Sequence, residues 1–212
     1  MALSKIITNS ITDDAVTNAK VGDDIGVGKF ISKITVSNDA TVSFGSSSIT
    51  DDFDIYDVLL EDIVPETDAR FLFCRLGVGG SVSSGGSDYT YGIYQYGAKT
   101  TDNSQFASNF DGTSSSILLT VSFDLGELGN GTGEFMTGHY RFYNLRSTTS
   151  FKRLTHKDSF HYSANEYHAT TRKGLSFGAY NINRTSKVDT IQFLMESGNL
   201  ASGTMSLYGI KL

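Results

Sequence analysis

The side chains that could do chemistry are few and scattered. Carboxylates cluster at Asp51-Asp52-Phe53-Asp54, with Asp57, Glu61 and Asp62 beyond. Such a run offers the hard oxygen ligands that Ca²⁺ takes, but the EF-hand spacing is absent, and acids where a strand begins are usually solvated. The same carboxylates would serve a glycosidase only if two faced each other across a cleft of roughly 5–10 Å, and no neighbouring motif supports that. The histidines are His139, His156, His161 and His168. Their spacing is wider than the pairs that hold zinc, so exposed or hydrogen-bonded imidazoles are expected. Cys74 is the single cysteine and sits in the apolar run FLFCRLGV, where it reads as a small buried hydrophobe and not as a nucleophile. No G-x-S-x-G elbow is present. Gly77-Val78-Gly79-Gly80 lacks the lysine and the helix of a phosphate-binding loop. No catalytic residue, metal or cofactor is assigned.

The best binding candidates are the tyrosines of the stretch DYTYGIYQY: Tyr89, Tyr91, Tyr94 and Tyr96. Tyrosine combines a flat apolar face with a polar tip, which suits stacking on sugars or packing in a subunit interface. Strand alternation puts Tyr89, Tyr91 and Ile93 on one face and Tyr94 and Tyr96 on the other, so half the group is expected in the core.

Whatever positions these residues is built from strands. The chain has 212 residues, 22 Gly, 14 Phe, 11 Tyr, one Pro and no Trp. β-branched and aromatic residues punctuated by Gly and Ser favour strands, and no helix-period segment stands out. A chain this long can bury a core without covalent staples, and one cysteine allows no internal disulfide, which is compatible with a reducing compartment. No apolar window is long enough for a membrane helix, and the N-terminus lacks the apolar run of a signal peptide. The net charge of −6 argues against a nucleic-acid partner, although the basic residues gather late, between Arg141 and Lys173, where a local basic face could form.

Residues 1–25 differ from the rest. They carry small and β-branched residues (Ile6, Ile7, Ile11, Ala15, Val16, Val21) and no aromatic. They are read as an arm, extended or partly helical, that cannot bury enough apolar area alone. Residues 26–212 are read as one domain of roughly ten to twelve strands. Ile31–Val36 and Ala40–Phe44 flank Ser37-Asn38-Asp39 as a tight hairpin. Phe53–Asp62 and Ala69–Leu76 are apolar on both parities, hence central strands, and Pro65 breaks the ladder between them. Gly77–Ser87 is an exposed loop, 97–115 an irregular polar segment, and Ile117–Phe123, Glu134–Leu145, Ser150–His156 and Leu175–Asn181 are strands. Val188–Leu212 is the closing hairpin, with the loop Ser197–Gly203 at its tip. Short strands separated by turn signals suggest an all-β, two-sheet sandwich of jelly-roll type, with a closed barrel as the alternative.

Four segments carry a family resemblance. SGNLASGTMSLYGIKL resembles the closing segment of virion proteins of tailed bacteriophages. YDVLLEDIVPETDARFLFCRLGVGGSVSSGGSDYTYG and GHYRFYNLRSTTSFKRLTH are similar to internal blocks of that family. LSKIITNSITDDAVTNAKV resembles a segment near the N-termini of phage fibre proteins. The chain departs from the pattern at Asn144-Leu145, where related sequences often have Asn-Pro. The resemblance implies a non-enzymatic virion protein, a tail fibre or a capsid decoration or head fibre, built as a β-sandwich and usually trimeric. Its implied partners are other virion proteins, further copies of itself and host-surface glycan, with no nucleic acid and no membrane insertion, and it would be assembled in the host cytoplasm. Residues 1–25 would anchor it or trimerise it through Ile6, Ile7, Ile11, Val16 and Val21. The rival readings are a carbohydrate-binding module with no virion role and, third, a glycan depolymerase acting through Asp51–Asp57.

Overall fold

The computed structural model describes residues 28–99, 105–120, 127–162, 172–182 and 185–212. The arm expected at 1–25, with Ile6, Ile7, Ile11, Val16 and Val21, lies outside them. The fold is all-β. In chain order the strands are β1 (Lys29–Asp39), β2 (Thr41–Phe44), β3 (Ile55–Pro65), β4 (Leu72–Val78), β5 (Ser81–Val82), β6 (Tyr89–Lys99), β7 (Gln105–Ser114), β8 (Ile117–Leu118), β9 (Phe135–Tyr143), β10 (Lys152–Tyr162), β11 (Arg172–Ile182), β12 (Thr190–Met195) and β13 (Leu200–Ile210).

They form two antiparallel sheets packed as a sandwich. The larger has eight strands in the order β1-β13-β3-β9-β10-β11-β6-β7, and the smaller runs β2-β12-β4-β5 with β8 also on β4. Alternation explains which side chains meet between them. In β9, Met136, Tyr140 and Phe142 are buried while Phe135, Thr137 and His139 face out. From β3, Tyr56, Val58, Leu60 and Ile63 enter the core, and from β12 and β4, Ile191, Phe193, Leu72, Cys74 and Leu76 meet them. Each fully buried Leu, Ile or Phe contributes about 1.5–3 kcal/mol by leaving water.

The two turns read as hairpins are instead corners between sheets. β1 pairs with β13 and β2 with β12; Ser37–Asp39 still belong to β1, with Asn38 at φ 57°, and the chain changes sheet at Ala40. Likewise β12 pairs with β2 and β4 while β13 pairs with β1 and β3. The Val188–Leu212 segment therefore knits both sheets and closes no hairpin. The corners sit side by side: Asn199 Nδ2 donates to the Asn38 carbonyl over 3.2 Å.

Two glycines make β13 fit. Gly203 has φ +127°, opposite the irregular pairing with β3, and a Cβ there would lie 2.7 Å from Ile63 Cδ1. Gly209 carries the Phe53 ring directly on its backbone, where a Cβ would come within 2.4 Å.

Other expectations shift as well. Pro65 does not break the ladder but ends β3 in register with Leu200, a strand-end position where a residue that lacks only the donor is tolerated. The segment 97–115 holds the edge strand β7, paired with β6. Gly77–Ser87 includes the short strand β5, paired back onto β4. β10 extends beyond the expected His156 to Tyr162, and among the described residues 117–123 keeps only Ile117–Leu118 as a strand.

Candidate ligand-binding face

The outer face of the eight-stranded sheet gathers the charged side chains that the strands direct away from the core. Asp57 points outward from β3, between Tyr208 of β13 and Arg141 of β9 in register. Arg141 grips it with both arms of its fork, Nε to Oδ1 at 2.7 Å and Nη2 to Oδ2 at 2.6 Å. His139 Nε2 lies 3.2 Å from the same Oδ2. Burial by itself would raise the Asp57 carboxyl, but the Arg141 fork and the His139 contact outweigh it and hold it below the usual carboxylate range. Arg141 is raised in turn, chiefly by its hydrogen bonds to Asp57.

On β10, next to β9, Arg153, Thr155 and Lys157 face out and are exposed. Arg153 is in register with Tyr143, Thr155 with Arg141 and Lys157 with His139. Directly opposed residues share a face, so the row can be followed further. Lys157 is in register with position 177 of β11, and position 177 with Tyr94 of β6. Tyr94 is thus on the same face as Lys157. Its ring meets Phe110 of β7 edge-on, with centroids 5.2 Å apart, and Phe110 is 61% exposed.

The tyrosine group divides by parity. Tyr89 and Tyr91 are in the core. The Tyr89 hydroxyl accepts from Leu76 N over 2.9 Å and donates to the Ser83 carbonyl over 3.0 Å, so it ties β6 to the smaller sheet. This burial removes Tyr89 and Tyr91 from the surface a glycan could touch. Tyr94 is exposed, and the Tyr96 side chain falls outside the described ones. Phe110 went unseen in the sequence because it stands in a segment whose polarity suggests loop; only its place opposite Gly92 in the sheet brings it beside Tyr94.

The acidic run has partners already. Asp51 is paired with Arg146 and with Lys187, each over 2.8 Å, and these hydrogen bonds lower its carboxyl to about 2. Asp52 accepts from the Thr50 hydroxyl at 2.8 Å, and Asp54 accepts from Leu212 N at 2.9 Å. A Ca²⁺ ion would have to displace Arg146 and Lys187 from Asp51. Among the described residues no group of three or more His, Cys, Asp or Glu is placed to hold a metal ion. A depolymerase needs one carboxyl that stays protonated near neutrality. Asp51 and Asp57 are both held low, so neither supplies that proton.

The histidines separate by environment. The His139 side chain is 44% exposed beside Asp57. His156 faces the core, stacked on Tyr140 at 5.4 Å and 13°. The side chains of His161 and His168 lie outside the described ones. Cys74 is buried, and burial pushes its thiol up, away from a reactive thiolate. Comparison with protein-family models, with curated proteins and with solved structures found no match.

Proposed function

We propose that this chain is a structural virion protein of a tailed phage, a tail fibre or a capsid decoration or head fibre, that assembles as a trimer and takes part in attachment to the host surface. The observation that carries the proposal is where the resemblance falls. The segment similar to the family's closing segment supplies β13, which pairs with β1 and β3 in the larger sheet, and holds Gly203 and Gly209 at two places where a Cβ would clash. The similarity therefore lies on residues that a shared sandwich would constrain. In this reading residues 1–25 anchor or trimerise, because their few Ile and Val side chains cannot bury enough apolar area alone, and three linked copies multiply weak contacts.

Size-exclusion chromatography with light scattering on the full chain and on residues 26–212 tests this. The expected result is a trimeric mass for the full chain and its loss on deletion. A full chain that stays monomeric, or a trimer unchanged by the deletion, overturns the assembly part. Labelling of intact particles with an antibody to this chain tests the virion part, and unlabelled particles overturn it. A second reading, a carbohydrate-binding module with no virion role, draws on the exposed Tyr94–Phe110 pair. Glycan binding by a monomer absent from particles would favour it.

A further inference from the structure

We propose that the outer face of β9 and β10 is a binding site for an acidic polysaccharide, whose sugar carboxylates pair with Arg153 and Lys157 while its rings rest on the neighbouring Tyr94–Phe110 pair. The inference rests on the attachment reading for its biological setting; the binding itself does not.

The first observation is charge segregation. The chain as a whole carries −6, yet among the described side chains the outward positions of β9 and β10 hold His139, Arg141, Arg153 and Lys157 and no acid. Of the β3 carboxylates beside it, Asp57 is taken by Arg141 and His139, and Glu61 accepts from the Thr204 hydroxyl of β13, on the side of β3 away from β9. Arg153 and Lys157 are exposed and have no ion-pair partner among the described residues. Two unpaired cations on the strand next to the neutralised Arg141 leave a local positive field in an otherwise acidic molecule.

The second observation is that the face already shows how it holds a carboxylate. Asp57 receives the planar fork of Arg141 through two short hydrogen bonds. Arg153 offers the same fork one strand away, and guanidinium forks match carboxylates bidentately. Lys157, four residues along, lies about 13 Å from it at the rise of a strand, so the two cations address separate units of a polymer.

The third observation is the aromatic pair. The register row from Lys157 reaches Tyr94 two strands away, a separation of about 10 Å at ordinary strand spacing. Exposed rings on the same face, two strands from a cation, suit a ligand with alternating apolar sugar faces and carboxylates. A nucleic acid would bring a denser line of charge against a protein of net charge −6.

Titration calorimetry on the full-length protein tests the assignment, with polygalacturonate as the probe and dextran, poly(glycerol phosphate) and oligodeoxythymidylate as controls. Polygalacturonate should bind, weaken as salt rises, and outcompete all three controls. Arg153→Gln with Lys157→Gln should weaken it about tenfold, about threefold for each exposed pair lost. Arg153→Lys with Lys157→Arg should keep most of the affinity, and Tyr94→Ala should weaken binding without changing its salt dependence. Thermal melting should be unmoved by the exposed charge changes. Absence of polygalacturonate binding overturns the inference, as does affinity unchanged in the double Gln variant. Equal or tighter binding of dextran, poly(glycerol phosphate) or oligodeoxythymidylate overturns the choice of ligand. A trimer that ignores polygalacturonate sinks this inference alone, whereas a monomer that binds it sinks the assembly reading alone.

Discussion

Acid should destabilise this sandwich through His156. Its position in β10 is in register with Tyr140 and through it with Val58, so its imidazole stacks on Tyr140 inside the sandwich, 5% exposed. Burial lowers its pKa from 6.5 to about 3. The imidazole is therefore neutral in the folded state while the unfolded chain takes up a proton below about 6.5. Between these values the unfolded state binds more protons, so stability rises with pH and falls on acidification. From pH 7 to pH 4.5 the loss works out at about 2.5 kcal/mol, since each unit below the unfolded pKa costs about 1.4 kcal/mol. Asp51 adds almost nothing in that window, because its contribution is lost below its unfolded value of 3.8, as the pH falls toward its folded value of about 2. Urea unfolding at both pH values, for the wild type and for His156→Phe, isolates the effect. The wild type should lose about 2.5 kcal/mol more than the variant. Equal losses in the two proteins would refute the buried, neutral imidazole.

Two further substitutions test how the strands are held. Gly209→Ala must move the Phe53 ring off β13, and overpacking of this kind costs about 1–3 kcal/mol, read as a lower urea midpoint at unchanged slope. Lys152→Met removes a fully buried ammonium whose Nζ donates to the carbonyls of Ser147, Ser150 and Thr185. The cost should be about 2–4 kcal/mol by thermal or urea unfolding, towards the lower end because water can reach the exposed loop at Ser150 once it relaxes; an unchanged midpoint would show that the three carbonyls need no donor.

Local pattern was legible where one neighbour decides a residue's fate. The alternation of Phe135–Tyr143 and the two-sided apolar character of β3 and β4 follow from pleat and burial, and the structure places them accordingly. The split of Tyr89 and Tyr91 from Tyr94 is legible for the same reason. Turns were not: a polar stretch such as Ser37–Asp39 says that a strand ends, and nothing in it says which sheet receives the next one. β7 was hidden because an edge strand packs on one side only, so QFASNFDGTS needs little apolar content. Lys152 is a charged residue at an inward position, and only the carbonyls of Ser147 and Ser150 in the preceding loop, joined by that of Thr185, make that tenable. The Asp57–Arg141 pair was out of reach because its members are 84 positions apart and meet only through sheet register.

The sharing of the final segment between both sheets sets a timetable for synthesis. β2 has β12 as its only neighbour, and β1 has β13 as its only neighbour, among the described strands. A ribosome exposes β1 and β2 first and their partners last. Until Thr190–Met195 emerges β2 cannot be paired, and β1 must wait for Leu200–Ile210; meanwhile their open backbone groups can template other chains. A chain released before Thr190 lacks the pieces that lock one sheet to the other, so premature termination should yield aggregate rather than a smaller sandwich.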